Sequence, residues 1–339
     1  MSELLKLTDL SRIARARDCK VSKVKENSNS VSGEVVCKTS GRPHHPILFF
    51  DGTFTCDCED FVMRHKFCKH LVALYLAASD QAKRKFVAKA TSKSVLRIPL
   101  SVTKLNSLMG GGVPLNIVLT ICGPSKAGKT WLASQLAFEV SSALQRPAIY
   151  IDTEGFFDAE TESKFRMYLR RFSRANVIFT QMRDPRDLLD FLGVRVTEIR
   201  RGERVDALVT KFEPPALQYL REIGTRVLVI DSLSYVIKSV IPFALQNLAA
   251  RANIVNAVYS QLDYLAASLP SLVIIVQHVS FNPTRQTWKL YGGPTMMYLT
   301  KYCLFVQKLD GRRRVRRLVW PGMPEAEVEV ELRRDYGYV

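Results

Sequence analysis

Residues Gly123, Pro124, Ser125, Lys126, Ala127, Gly128, Lys129 and Thr130 fit the spacing G-x-x-x-x-G-K-[ST] at every fixed position. Glycines at both ends let the backbone curl so that its N–H groups face phosphate oxygens. A helix starting at the loop adds its positive end. Lys129 is then placed for the β- and γ-phosphates and the Thr130 hydroxyl for Mg2+, which makes this a site for ATP. Val227–Asp231 is an apolar run ending in a carboxylate, so Asp231 is expected to share the Mg2+. Tyr150–Gly155 places a second acid, Glu154, just past another apolar run, where it can orient the water that attacks the γ-phosphate.

A second constellation is Cys56 and Cys58, then nine residues, then Cys68 and His70. Three thiolates and an imidazole suit a closed, tetrahedral, structural Zn2+ site. His44, His45 and His65 are alternative ligands but lack the paired spacing. The pattern C-x-C-x9-C-x-H resembles the SWIM zinc module. An odd total of seven cysteines with one tight cluster argues against a disulfide framework. Cys19, Cys37, Cys122 and Cys303 therefore read as small buried thiols.

The elements that must hold these groups fall into two regions. Short strand-like stretches at 31–36, 47–50 and 52–55 lead into the cysteine cluster, and Leu71–Ala78 has helical composition. The polar, basic segment 79–94 reads as a linker. Beyond it, apolar runs at 116–121, 148–151, 177–179, 227–230 and 272–276 alternate with helical stretches at 130–144 and 253–267. That alternation is the mark of an α/β fold with a mostly parallel sheet, whose strand ends carry the ligand site. Residues 302–308 and 314–320 flank Asp310 and Gly311, a hairpin signal. The organisation expected is a zinc-binding α+β module at 1–80, a basic linker at 81–97 and a P-loop ATPase core at 98–339.

Net charge is +17, with +8 in the first hundred residues and +9 in the rest. Such an excess favours an anionic partner, with nucleic acid the foremost choice. No apolar run reaches the ~18 residues of a membrane helix, and no apolar leader follows Arg12, Arg15 and Arg17. A location off the membrane, in the cytoplasm, is expected.

The region from Ile98 to Val339, about seven-tenths of the chain, resembles the ATPase core of the RecA/RadA recombinase family, nearer its archaeal and eukaryotic branch. The matching pieces are Ile98–Gly112, the P-loop, the 150–155 stretch, the strand end at Val276, Gln277 and His278, the pair Gly292 and Gly293, and Pro324–Glu327. The resemblance implies that Glu154 is the catalytic glutamate acting with Lys129, and that Gln277 senses the γ-phosphate and couples it to DNA loops. It implies two such loops. One follows Asp231 and carries Lys238; the other runs from Ser280 to Tyr291 and carries Phe281, Arg285, Trp288 and Lys289. Cations with aromatic rings suit single-stranded DNA. The cluster Arg312–Arg314, Arg316 and Arg317 reads either as a second basic patch or as a charge-protected edge strand.

Several features depart from the family pattern. Trp320 and Val319 stand where polar residues facing a neighbour's nucleotide are expected, and Phe86–Lys89 lacks the F-x-x-A oligomerisation pattern. The 181–213 segment is long and the 279–292 loop short. These departures imply a recombinase paralogue: an ATPase, DNA-stimulated or weak, acting on DNA in homologous recombination or repair. The alternative is a non-hydrolysing mediator that binds ATP and single-stranded DNA and assists the main recombinase. The implied partners are single- and double-stranded DNA, recombinase or repair proteins and further copies of the chain, in a nucleoid-associated setting.

Overall fold

The structure, a computed structural model, describes residues 8, 10–38, 40–50, 52–64, 67–90, 97–201, 204–240, 247–269, 271–282, 287–290, 293–333 and 336–339. The chain divides into two compact units, 1–95 and 96–339.

The first unit runs α1 (Leu10–Ala16), β1 (Cys19–Glu26), β2 (Ser30–Cys37), β3 (Pro43–His44), β4 (Ile47–Phe49), β5 (Phe54–Thr55), α2 (Glu59–Arg64), α3 (Lys69–Ala77) and α4 (Asp80–Ala90). The strands form an antiparallel sheet in the order β1-β2-β4-β5, with β3 beside β2. Cys19 and Cys37 face each other across β1 and β2 and are joined as a disulfide. This corrects the expectation of two free thiols. Strand register brings together residues that lie 18 apart in sequence. A second difference concerns the expected linker, because residues 80–90 are helical. Phe86 of α4 is buried against Phe54, Phe67 and Tyr75, so the helix belongs to the core of this unit. Arg84 and Lys85 beside it are exposed, and such basic residues hid that apolar stripe.

The second unit continues with β6 (Arg97–Ile98), α5 (Thr103–Leu108), β7 (Val113–Pro114), β8 (Ile117–Gly123), α6 (Lys129–Leu144), β9 (Ala148–Asp152), α7 (Ala159–Tyr168) and β10 (Val177–Gln181). Next come α8 (Pro185–Phe191), β11 (Val194–Arg201), β12 (Arg204–Lys211), α9 (Pro215–Ile223), β13 (Val227–Asp231), α10 (Leu233–Val240) and α11 (Leu248–Ser268). The chain ends with β14 (Leu272–Asn282), β15 (Thr287–Leu290), α12 (Gly293–Leu299), β16 (Tyr302–Lys308), β17 (Arg313–Val319), β18 (Ala326–Val330), β19 (Leu332–Arg333) and β20 (Gly337–Tyr338).

Six strands, β10-β9-β13-β14-β8-β16, pair in parallel, and β17 and β18 extend the sheet antiparallel. Alternate residues take opposite faces. Ile117, Leu119 and Ile121 join Leu132, Leu136 and Val140 of α6 in the main core. Thr120 faces the other way and bonds Tyr259 of α11 (3.4 Å). The long 181–213 segment holds α8 and the β11–β12 hairpin, a separate two-stranded sheet. Gln261 of α11 anchors it by donating to the carbonyls of Gly193 (2.9 Å) and Phe212 (2.6 Å). No described helix is long and apolar enough to cross a membrane.

Candidate active site and metal centre

Register places the ends of four strands side by side. Asp152 pairs with Asp231, Asp231 with Val276, and His278 with Gly123. The P-loop leaves β8 there and feeds α6. Gly123 has φ 152°, and a Cβ on it would collide with the Val306 carbonyl oxygen. Gly128 has φ 105°, a conformation that leaves little room for any side chain but hydrogen, and it caps α6.

The polar side chains converge on a cleft of about 470 Å3. The Thr130 hydroxyl donates to Asp231 Oδ2 (2.8 Å), and so does the Tyr150 hydroxyl (2.7 Å). Burial pushes the Asp231 carboxyl up, and those two hydrogen bonds oppose the rise. A cation beside this hydroxyl–carboxylate pair would favour its charged form, and hard oxygen donors suit Mg2+. Lys129 is buried and donates to the Pro124 carbonyl oxygen (2.8 Å). Its burial lowers the ammonium pKa, against the pull of Asp231.

Glu154 Oε1 lies 3.0 Å from His278 Nε2 and also accepts from the Ser232 hydroxyl. The hydrogen bond with His278, opposed by desolvation and aided by Ser232, holds its pKa down at about 2. The loop bearing Glu154 is fixed by buried Asp152. Its Oδ1 accepts from the backbone N–H groups of Glu154 (3.0 Å) and Gly155 (2.9 Å), and its Oδ2 from that of Phe157 (2.8 Å). Ser234 Oγ accepts from the His278 backbone N–H (3.1 Å) and donates to Ser232 Oγ (3.2 Å). Strands β9, β13 and β14 are thus tied together at the carboxylate.

Gln277, expected at the phosphate, is not in this cleft. It is fully buried, and among the described residues neither its Oε1 nor its Nε2 meets hydrogen-bond geometry. The reason is the two-residue period of β14. Leu272, Ile274 and Val276 lie in the core on the α6 side, so position 278 continues that face and position 277 takes the other. His278 therefore occupies the place expected of Gln277. Sequence reading missed it, although the parity of the apolar run carried the signal. Asp152, Tyr150 and Ser232 were missed for a different reason, since nothing in their spacing distinguishes them from ordinary strand-end residues.

In the first unit, Cys56, Cys58, Cys68 and His70 are all buried, with ligand atoms within 4.8 Å of one another. His70 Nδ1 is 3.9 Å from both Cys56 Sγ and Cys68 Sγ. Zn–S bonds of about 2.3 Å give tetrahedral edges of about 3.8 Å, so the quartet fits zinc. Hydrogen bonding to Cys58 and Cys68, then burial, pushes the Cys56 thiol far up. A dication would remove that cost. Cys19 and Cys37 also lie within 4.8 Å of His70, but their sulfurs are bonded to each other. His44 and His45 serve as outer support rather than as ligands. Both ring Nδ1 atoms lie against Asp57, at 3.1 and 2.8 Å, and the His44 ring sits 4.2 Å from that of His70. His65 lies outside the described residues.

Among the expected DNA residues, Lys238 sits in the last turn of α10 and Gly293 begins α12. Within the short 279–292 segment, β15 pairs antiparallel to the end of β14. Phe281 and Trp288 face each other on it, with ring centroids 4.9 Å apart, both exposed. Lys289 is exposed beside them, while Arg285 and Gly292 lie outside the described residues. Trp320 is buried edge-on to Tyr302 (5.0 Å).

A P-loop joining a strand to a helix on a mostly parallel sheet defines a nucleotide-binding domain of the P-loop class. The AAA domain family matches residues 86–282, more than half of the chain, and the chain belongs to that family. The SWIM zinc finger matches residues 53–79, a span that contains all four Cys and His ligands. The chain is also similar to the DNA repair and recombination protein RadA of Aeropyrum pernix, at 24% identity over 72% of this chain and 74% of that protein. With the protein of the same name from Metallosphaera sedula it shares 26% identity over 69% of this chain and 70% of the relative. Within its family the chain carries a SWIM zinc finger ahead of the P-loop domain.

Proposed function

We propose that this chain is an ATP-hydrolysing, DNA-binding paralogue of the RadA recombinases that acts in homologous recombination or repair. The observation that carries the reading is the continuity of β14. Its His278 touches Glu154 at the phosphate cleft, and three residues on its Phe281 opens the aromatic hairpin. In this reading one strand spans the nucleotide cleft and the hairpin that meets DNA.

In this reading the loop from Gly123 to Thr130 binds the triphosphate, with Lys129 at the β- and γ-phosphates. Thr130 and Asp231 would hold Mg2+, which neutralises charge on the phosphate oxygens. Glu154, kept ionised by His278 and Ser232, orients the attacking water and takes up its proton. A γ-phosphate entering the cleft competes with Glu154 for His278. The resulting shift passes along β14 to the hairpin, a ligand-biased switch. Trp288 and Phe281 stack on bases of single-stranded DNA while Lys289 and Lys238 meet phosphates, an assignment supported by their exposure and chemistry. The Zn2+ of Cys56, Cys58, Cys68 and His70 is structural. Repair proteins, double-stranded DNA and further copies of the chain remain its expected partners in the cytoplasm.

A second reading, a mediator that binds ATP and DNA without turnover, draws on Trp320. Its burial leaves no polar residue at the position where the resemblance expects one to face a neighbour's nucleotide. Anisotropy of a labelled single-stranded oligonucleotide tests the DNA half of both readings. Affinity should rise with a non-hydrolysable ATP analogue relative to ADP, and His278→Ala should abolish the difference. No binding at low salt would sink both.

A further inference from the structure

We infer that Arg313 is an additional phosphate-binding residue of the ATP site, delivered to the P-loop by β17 of the same chain. This rests on reading Gly123–Thr130 as a triphosphate site. The starting point is a contrast among the arginines of the 312–317 cluster. Arg312 pairs with Glu329 (3.5 Å), Arg314 with Glu329 (3.2 Å) and Glu327 (3.5 Å), and Arg316 with Glu325 (3.5 Å) and Glu327 (3.4 Å). Arg317 is buried and donates to the carbonyl oxygens of Pro324 (2.9 Å) and Leu108. Each has a partner outside β17.

Arg313 is the exception. It has the same parity as core residue Val315, so it points to the face that carries the P-loop and α6. Among the described residues no carboxylate lies within ion-pairing distance of it. Its Nη1 donates to the Arg312 carbonyl oxygen (3.0 Å), and its Nε is buried with no partner. That Nε lies 3.5 Å from where a Cβ on Gly128 would stand, and the side chain lines the same cleft as Lys129, Thr130 and Asp231.

A guanidinium cannot shed its charge, so burying part of it without a counter-ion is costly. Placed beside a ring of inward-facing N–H groups, it has one fitting partner, an anion held by that loop. The polyphosphate of a nucleoside triphosphate supplies it, and the planar donor fork of arginine suits phosphate oxygens. Arg313 thereby completes the cleft from the side opposite Asp231 and Glu154, without help from a second subunit.

The test uses the full chain with Mg2+ and a fluorescent ATP analogue, comparing wild type, Arg313→Ala, Arg313→Lys, Arg312→Ala and Lys129→Ala. Loss of one charge-assisted hydrogen bond predicts affinity falling about ten- to hundred-fold for Arg313→Ala. Arg313→Lys should recover part of it, and Arg312→Ala should match wild type. Thermal unfolding without nucleotide separates a binding role from a structural one. Arg313→Ala should melt no lower than wild type, while its ATP-induced rise in Tm shrinks. Unchanged affinity in Arg313→Ala, with binding lost in Lys129→Ala, overturns the inference and leaves the nucleotide site standing. An Arg313→Ala protein that melts lower without nucleotide and gains the full ATP-induced rise also overturns it. Failure of the wild type to bind ATP removes the nucleotide reading itself.

Discussion

At the residue scale, the chemistry turns on Glu154 and the groups that grip it. A carboxyl held near pH 2 is ionised throughout the working range. Any acid limb in a pH–rate profile should therefore come from another group, and a limb above pH 4 should persist unchanged in Ser232→Ala. The sign for stability follows from the same shift. Glu154 falls from an ordinary 4.5 to about 2 on folding, so its contribution is full above pH 4.5 and is lost as pH drops through about 2. His278 and Gln277 should behave oppositely on substitution. His278→Ala should lower turnover and uncouple it from DNA. Gln277→Met should leave turnover intact, since Gln277 lies on the face of β14 turned away from the cleft. Loss of activity in Gln277→Met with normal activity in His278→Ala would reverse these assignments.

At the element scale, the exposed hairpin and the zinc-bound turn carry separate predictions. Trp288→Ala should weaken single-stranded DNA binding by about ten-fold, the worth of one base stack, with ATP binding and Tm unchanged. Equal DNA affinity would move the binding surface elsewhere. Chelation should unfold the 10–90 region, because Cys56, Cys58, Cys68 and His70 link the turn after β5 to the start of α3. Circular dichroism that does not change on chelation would count against a structural metal.

These elements also show what sequence reading could reach. The P-loop, the strand ending at Asp231 and the Cys/His quartet were legible because their chemistry is local in sequence. Cys19 with Cys37, Arg313 with Gly128, and His278 with Glu154 were not. Each pair depends on strand register or face, and only the two-residue parity of β14 offered a clue. Helix α4 was hidden by composition, since its buried Ala82, Phe86 and Val87 stand among Lys83, Arg84, Lys85 and Lys89.

At the scale of the whole molecule, two units each fold around a core of their own. One holds its centre with sulfur and aromatic side chains, the other with a parallel sheet. Thermal unfolding should accordingly show separable responses, with chelator lowering one transition and ATP with Mg2+ raising the other. A net charge of +17 further predicts DNA affinity that falls steeply with salt, roughly in proportion to the phosphates neutralised.

ATP turnover, measured with and without single-stranded DNA for wild type, Lys129→Ala and Glu154→Gln, tests the ATP-hydrolysing site most directly. Wild type should hydrolyse ATP faster with DNA. Lys129→Ala should lose both binding and turnover, and Glu154→Gln should keep nucleotide affinity while turnover falls at least about 100-fold. Turnover in Glu154→Gln equal to wild type, or none in wild type despite tight ATP and DNA binding, would contradict hydrolysis at this site.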